Sequence, residues 1–345
     1  MAKLSLSSHL LAQGFSKEEI HEVIDFRKKY MVEGLDSHDR MPNPAMFYIG
    51  GQTLKLCVNA LLAGNHILLE GGKGVGKNTL IETLAFMFKR PLYEYPFNGG
   101  TDVNSIIGED TLTVNDSGNT VVKFKEHQLL MSMQDPAGAW FCGDEINMTR
   151  SEVLSVLHMV TDYRAKIDVP GYGVVNSHPA FRFIGTMNYG YMGTSELNEA
   201  FSDRFVIIHV PAMNDRDFIG ALRYNYERLT TDVAARLVKL FRDLDLKAQS
   251  GAITSRSVTV RGLFQAIGMI ERGTDPFQAL QCCVTNKAFD SFERTQIKDT
   301  IDTLFTKADK WFEGVVTPKV DPSTERFPGK TGKVAVDFSV KGDDL

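Results

Sequence analysis

The residues with the most evident chemistry form one short run, Gly71-Gly72-Lys73-Gly74-Val75-Gly76-Lys77-Asn78-Thr79. Glycines let successive backbone N–H groups turn inward around phosphate oxygens. A following helix adds the positive end of its dipole, and Lys77 supplies a full charge near the terminal phosphates. The run fits the pattern G-x-x-x-x-G-K, but the hydroxyl residue expected after the lysine, a magnesium ligand, is Asn78, and Thr79 comes one place late. A helix turns about 100° per residue, so Thr79 does not stand in for its neighbour. Two readings of Asn78 stay open. Its side-chain oxygen could contact the metal or a metal-bound water, or the site could bind nucleotide with weakened magnesium coordination and slow turnover.

Further along, AWFCGDE is an apolar stretch ending in two acids. At the carboxyl edge of a parallel sheet, Asp144 would stand beside the metal, and Glu145 could orient or deprotonate an attacking water. FRFIGTMN ends in Asn188, a neutral group suited to positioning that water and reading a γ-phosphate; a simple Asn turn is the competing reading. Arg204, in LNEAFSDRF, could project into a neighbouring subunit's site and offset charge on a phosphoryl group, or pair with Asp203 at the surface.

Elements able to position these residues are legible around them. HILLEG reads as a short buried strand, the glycine run as a turn, and NTLIETLAFMFKR as a helix, the order that opens a nucleotide-binding α/β layer. PLYEYPF, AWFCGDE, FRFIGTMN and FVIIHV read as further strands, and SEVLSVLHMVTDY as a helix between them. The expected fold class is α/β: a parallel sheet with helices on both faces, followed by an all-α lid. TLTVNDSGNTVVKF, with Asp116 to Asn119 at its turn, and AKIDVPGYGVVNSHPAFR read as two β-hairpins. After Pro211 the strands stop and five helix candidates follow, the last being QIKDTIDTLFTKADKWF. The expected division is a helical extension over residues 1–42, in which Ser16 and Glu19 have capping-box spacing, an α/β domain over 43–212, a helical lid over 213–315 and a tail over 316–345 carrying the strand-like VAVDFSV.

Composition narrows the functional classes. The chain has 345 residues, 43% hydrophobic and 23% charged, which suits two globular lobes and excludes disorder over most of its length. A net charge of -5, from 43 acidic and 38 basic residues, advertises no polyanion partner, so nucleic acid is disfavoured as a ligand. Cys57, Cys142, Cys282 and Cys283 lack zinc-site spacing and read as buried thiols in a reducing cytoplasm. No secretory leader is evident, and no apolar run is long enough to span a bilayer. His66 and His158 read as structural, and Asn286 to Asp290 as an imperfect imitation of a guanine-specificity motif in a helical segment.

Taken in order, GGKGVGKN, AWFCGDEIN, FRFIGTMN and LNEAFSDRF resemble the MoxR-type branch of AAA+ ATPases, related to the CbbQ/NorQ, GvpN, dynein and McrB modules. The resemblance runs from about Tyr48 to Val210. It implies an ATPase using ATP and Mg2+. Lys77 and the loop amides from Gly71 to Thr79 would meet the phosphates, Asp144 the magnesium, and Glu145 would be the catalytic base, while Asn78 departs from the Thr/Ser of the family. Asn188 would be sensor 1, Arg204 an arginine finger acting in trans, and Arg256, in Thr254-Ser255-Arg256, sensor 2, with Arg261 its rival. It further implies a homo-oligomeric ring, expected to be a hexamer, that remodels a protein client, such as a metalloenzyme awaiting maturation or a partner with a von Willebrand factor A domain. A nucleotide-gated scaffold with weak hydrolysis and a McrB-like motor of a nucleic-acid defence system are the alternatives.

Overall fold

The computed structural model describes residues 7, 10–11, 13–35, 38–44, 47–116, 118–188 and 197–313. The tail over 316–345, with the strand-like VAVDFSV, lies outside the described residues. The chain divides into two compact units, one ending at Pro211 and the other beginning at Ala212.

Five strands of the first unit form one parallel sheet: β1 (His66–Glu70), β2 (Leu92–Pro96), β5 (Trp140–Asp144), β8 (Arg182–Met187) and β9 (Phe205–His209). Their order is β2-β5-β8-β1-β9, which puts the strand before the glycine run in the interior beside β8. Alternation along β1 fixes two cores. Ile67 and Leu69 face one layer and Leu68 the other, and all three are fully buried. On the first face lie α1 (Lys17–Lys29), α2 (Gly51–Leu62) and α3 (Lys77–Phe88), which contribute Val23, Phe26, Leu54, Leu61, Leu84 and Phe88. On the second lie α4 (Val103–Ile107), α5 (Gln128–Gln134) and α6 (Ser151–Thr161), with Ile106, Leu129, Leu130 and Leu157. Helices on both faces are therefore present as expected. The short helices α4 and α5, which lack a full amphipathic repeat, are additions.

The amino-terminal helix is part of this core rather than an appendage. Ser16 accepts from the Glu19 amide while the Glu19 carboxylate accepts from the Ser16 amide, the reciprocal cap foreshadowed by their spacing. Just before it, the Gln13 side chain grips the turn that opens α2: Nε2 donates to Tyr48 O at 3.1 Å and Oε1 accepts from Gly50 N at 3.2 Å. Gly51 has to be a glycine, because a Cβ there would stand 2.2 Å from Gln13 O. Tyr48 N in turn donates to the Thr83 hydroxyl of α3.

Both expected hairpins form. β3 (Gly108–Val114) pairs antiparallel with β4 (Thr120–Glu126), and β6 (Lys166–Val169) with β7 (Gly173–Asn176). A four-residue helix, α7 (Glu199–Ser202), precedes β9.

In the second unit the regular elements among the described residues are helical: α8 (Asp215–Asn225), α9 (Thr231–Gln249), α10 (Val260–Glu271), α11 (Pro276–Cys283) and α12 (Ser291–Leu304). Side chains of Asn214, Thr230, Thr259, Asp275 and Asp290 cap their amino ends, and Leu237, Leu240, Ile267, Leu280 and Ile297 fill the core. Two differences from the sequence reading have local causes. The final helix begins earlier and stops at Leu304, because Asp309 accepts from Thr306 N and from Arg236 and folds the following residues into a turn. Asp290 is a helix cap, accepting from Phe292 N and Glu293 N, so the segment from Asn286 has no base-reading geometry.

His66 ties two central strands, as its ring accepts a hydrogen bond from Phe183 N at 2.9 Å through Nδ1. Burial, with the Arg182 charge adding to it, lowers its pKa from 6.5 to about 4, so the folded protein holds the ring neutral. The stability this provides is complete above about pH 6.5 and is lost as pH falls toward 4. Denaturation midpoints measured across that window should fall for the wild type and fall less steeply for His66→Gln.

Candidate functional site

At the carboxyl end of β1 the chain turns through Gly71–Gly76 and enters α3 at Lys77. Gly74 and Gly76 have φ of +78° and +95°, conformations that side chains with a Cβ adopt at a cost. Gly71 is constrained by space, since a Cβ would lie 2.6 Å from Val210 O and 3.1 Å from a Val75 methyl. Gly72, Lys73 and Gly74 are exposed, while Val75 and Gly76 are half-buried. The exposed rim of the loop and the buried start of the helix together form an anion-receptive turn.

Lys77 is buried, with 7% of its surface exposed. Its ammonium donates to Gly71 O and Gly72 O, each at 2.9 Å, and to Asn188 Oδ1 at 2.6 Å. Burial lowers its pKa, while Asp144 and Glu145 oppose that shift. The Asn188 carboxamide spans the site: its oxygen accepts from Lys77 and its nitrogen donates to Glu145 Oε1 at 3.0 Å. Lys77, Asn188 and Glu145, expected to act together, are thus joined in one hydrogen-bonded chain.

Asp144 ends β5, and Glu145 begins a turn of 3-10 helix over Ile146–Met148 with its own backbone in the left-handed region, φ 53° and ψ 43°. This turn aims the exposed Glu145 side chain at Asn188. Asp144 Oδ2 accepts from Asn78 Nδ2 at 3.2 Å. Nearby acids add negative potential. Burial and the charge of Glu94 raise the Glu82 carboxyl, and burial and the charge of Asp144 raise that of Glu94. Thr79 contributes backbone only among these contacts, its carbonyl accepting from the Thr83 hydroxyl at 2.7 Å.

Oxygen donors suit a hard cation, and Asp144 meets that requirement. Asn78 meets it with its carboxamide oxygen, which must rotate into the place where the amide nitrogen now faces Asp144.

Two participants were not singled out from the sequence. Thr186, fully buried on β8, donates its hydroxyl proton to Asp144 Oδ1 and accepts from Glu145 N. Asn147, 2% exposed, donates to Asn188 O at 2.8 Å, and its own Oδ1 is buried without a partner among the described residues. The available signal was polarity out of place: a threonine inside FRFIGTMN and an asparagine just past an apolar strand.

Among the described residues of the first unit, Arg204 is not bonded to this network. Arg204 does not pair with its neighbour Asp203. Its guanidinium donates to Ala200 O and lies 3.8 Å from Asp162 at the end of α6, with Nε buried and without a partner among the described residues. Arg256 and Arg261 belong to the second unit, where both are exposed; Arg256 lies over the Phe289 ring at 5.0 Å.

Residues 66–205 match the AAA domain of the dynein-related subfamily. Among curated proteins, SSP1341 of Staphylococcus saprophyticus, an uncharacterized protein, is 32% identical over 247 residues, 70% of this chain and 90% of the relative. YojN of Bacillus subtilis is 30% identical over 71% of this chain and 80% of its own length, and SH1500 of Staphylococcus haemolyticus 30% over 70% and 90%, both also uncharacterized.

The crowding at Gly71 generates a paired test. Gly71→Ala should destabilise the first unit by about 1–3 kcal/mol, because a backbone carbonyl has to yield. Gly72→Ala, whose Cβ would meet only a Val75 methyl at 3.7 Å, should change the denaturation midpoint far less.

Proposed function

Because the chain belongs to the AAA+ ATPases, we propose that it is a MoxR-type remodelling ATPase that binds ATP at the turn from Gly71 to Thr79 and hydrolyses it to reshape a protein client. The observation carrying this reading is the continuous chain from Lys77 through Asn188 to Glu145, which puts a phosphate-seeking cation and a carboxylate base within one residue's reach of each other.

The residues divide the work as follows. Loop amides and Lys77 bind phosphate oxygens, and Lys77 must exchange its contacts with Gly71 O, Gly72 O and Asn188 for them. Asn188, released from Lys77 on one side, still orients Glu145 on the other. Glu145 takes the proton of an attacking water. Asp144, joined by Asn78 through its amide oxygen, would hold magnesium, which when bound supplies positive charge to the phosphate oxygens.

Arg204 acts in trans at a subunit boundary of a homo-oligomeric ring, a hexamer in this reading, and Arg256 responds to nucleotide as sensor 2. The client is a protein, of the metalloenzyme or von Willebrand factor A type, and the two β-hairpins are the surfaces that would touch it. The site of action is the cytoplasm; no helix among the described residues is long and apolar enough to cross a membrane.

Lys77→Ala should abolish nucleotide binding in calorimetry. Glu145→Gln should keep affinity within a few-fold while lowering kcat roughly 100- to 10,000-fold. Equal ATP affinity in the wild type and Lys77→Ala would overturn the assignment.

One observation favours a second reading, a nucleotide-gated scaffold with slow turnover: Asn78 donates a proton to the very carboxylate that would hold the metal. Steady-state phosphate release with and without magnesium separates the two. A gain of turnover in Asn78→Thr supports the scaffold, and brisk hydrolysis by the isolated wild type eliminates it.

A further inference from the structure

The pairing of β5 with β8 ends at Gly143 opposite Gly185, one residue before Asp144. Beyond that point Glu145 leaves the strand for the left-handed region, so its N–H has no place in the ladder. That N–H is satisfied by a side chain, the Thr186 hydroxyl, at 2.9 Å. The same hydroxyl donates to Asp144 Oδ1. The backbone of Thr186 is itself held from the other side, where β1 pairs with β8 at Leu69 opposite Thr186. Thr186 has no solvent exposure, so neither of its hydrogen bonds is exchanged readily for water.

We propose that Thr186 is a positioning residue for hydrolysis, one hydroxyl that holds both acids of the site at once. The inference rests on the ATPase reading above. The direction of the hydroxyl proton is dictated: having accepted from Glu145 N, the oxygen points its hydrogen to Asp144, and a chain of donor, hydroxyl and carboxylate results whose members polarise one another. Two consequences follow for the chemistry. Asp144 has one oxygen committed to Thr186, so its other oxygen is the one turned toward Asn78 and the start of α3. Glu145 has its backbone pinned in a conformation that costs energy, so its carboxylate meets Asn188 instead of swinging into solvent. Binding of phosphate by Lys77 and the glycine turn needs neither effect; placement of the base needs both. The residue should therefore act on kcat and leave affinity alone.

Thr186→Val removes the hydroxyl and keeps the shape, while Thr186→Ser keeps the hydroxyl and removes the methyl. We expect Thr186→Val to lower kcat roughly 10- to 100-fold with nucleotide Kd and KM within about threefold of wild type. Thr186→Ser should recover kcat to within about threefold. The reverse pattern, with Ser impaired and Val active, assigns the role to packing and overturns the proposal, as does equal turnover in all three proteins or a parallel loss of affinity in Thr186→Val. Should Thr186→Val not fold, Thr186→Ala is compared with Ser in the same way. Hydrogen exchange on the nucleotide-free protein gives an independent reading. The Glu145 amide should exchange faster in Thr186→Val and return toward wild-type protection in Thr186→Ser; unchanged exchange in Val overturns the proposal. A wild type that binds no nucleoside triphosphate at all, yet shows this exchange pattern, would instead bring down the ATPase reading and leave the hydrogen bonds standing.

Discussion

Parallel strand pairing is the constraint on which the site depends. β1 pairs with β8 through Glu70 opposite Met187, whereas β5 leaves β8 at Gly143 opposite Gly185. The stagger means that three chains exit the sheet at one edge but not at one level. Lys77, Asp144, Glu145 and Asn188 come from segments separated by as many as 111 residues in the chain, and this edge is where they meet. In a parallel sheet every strand points the same way, so all the exits with unpaired backbone groups gather on a single side. Side chains complete what the ladder leaves open: Thr186 takes the Glu145 amide, and Asn147 takes the Asn188 carbonyl.

Most of the polar groups at that edge are bonded to one another. Lys77 spends its donors on two loop carbonyls and a carboxamide, and Asn78 spends a proton on Asp144. A ligand entering the turn therefore exchanges one set of contacts for another, and the net gain is the difference between them. Charge decides the exchange. A phosphate oxygen carries far more negative charge than a peptide carbonyl, so in the proposed nucleotide complex the buried ammonium would gain by moving to it. Asn188 is the member that feels both partners, since its oxygen faces the Lys77 ammonium and its nitrogen the Glu145 carboxylate.

Much of this is legible in the sequence alone, for reasons that differ by residue. Buried parallel strands read as short apolar runs, so HILLEG, AWFCGDE and FRFIGTMN identified themselves, and the glycine run could be placed between a strand and a helix. Helices on one amphipathic period, such as Thr231–Gln249, were equally plain. What escaped was determined by contacts distant in sequence. Val103–Ile107 and Gln128–Gln134 are too short to show a period. A strand buried on both faces has no alternation to single out Thr186, and the Asp162 partner of Arg204 lies 42 positions away in the numbering, where adjacency had suggested Asp203. The end of the last helix at Leu304 was decided by Asp309 and Arg236, a pairing that no local pattern contains.

The grip of Gln13 on Tyr48 and Gly50 gives the amino-terminal helix a mechanical connection. Tyr48 is bonded to Thr83, Thr83 to Thr79, and Thr79 lies in the first turn of the helix that the glycine turn opens. The segment that leads into residues 17–29 is thereby hinged to the far side of the glycine turn, so a substitution at Gln13 would loosen Tyr48 and Gly50 together.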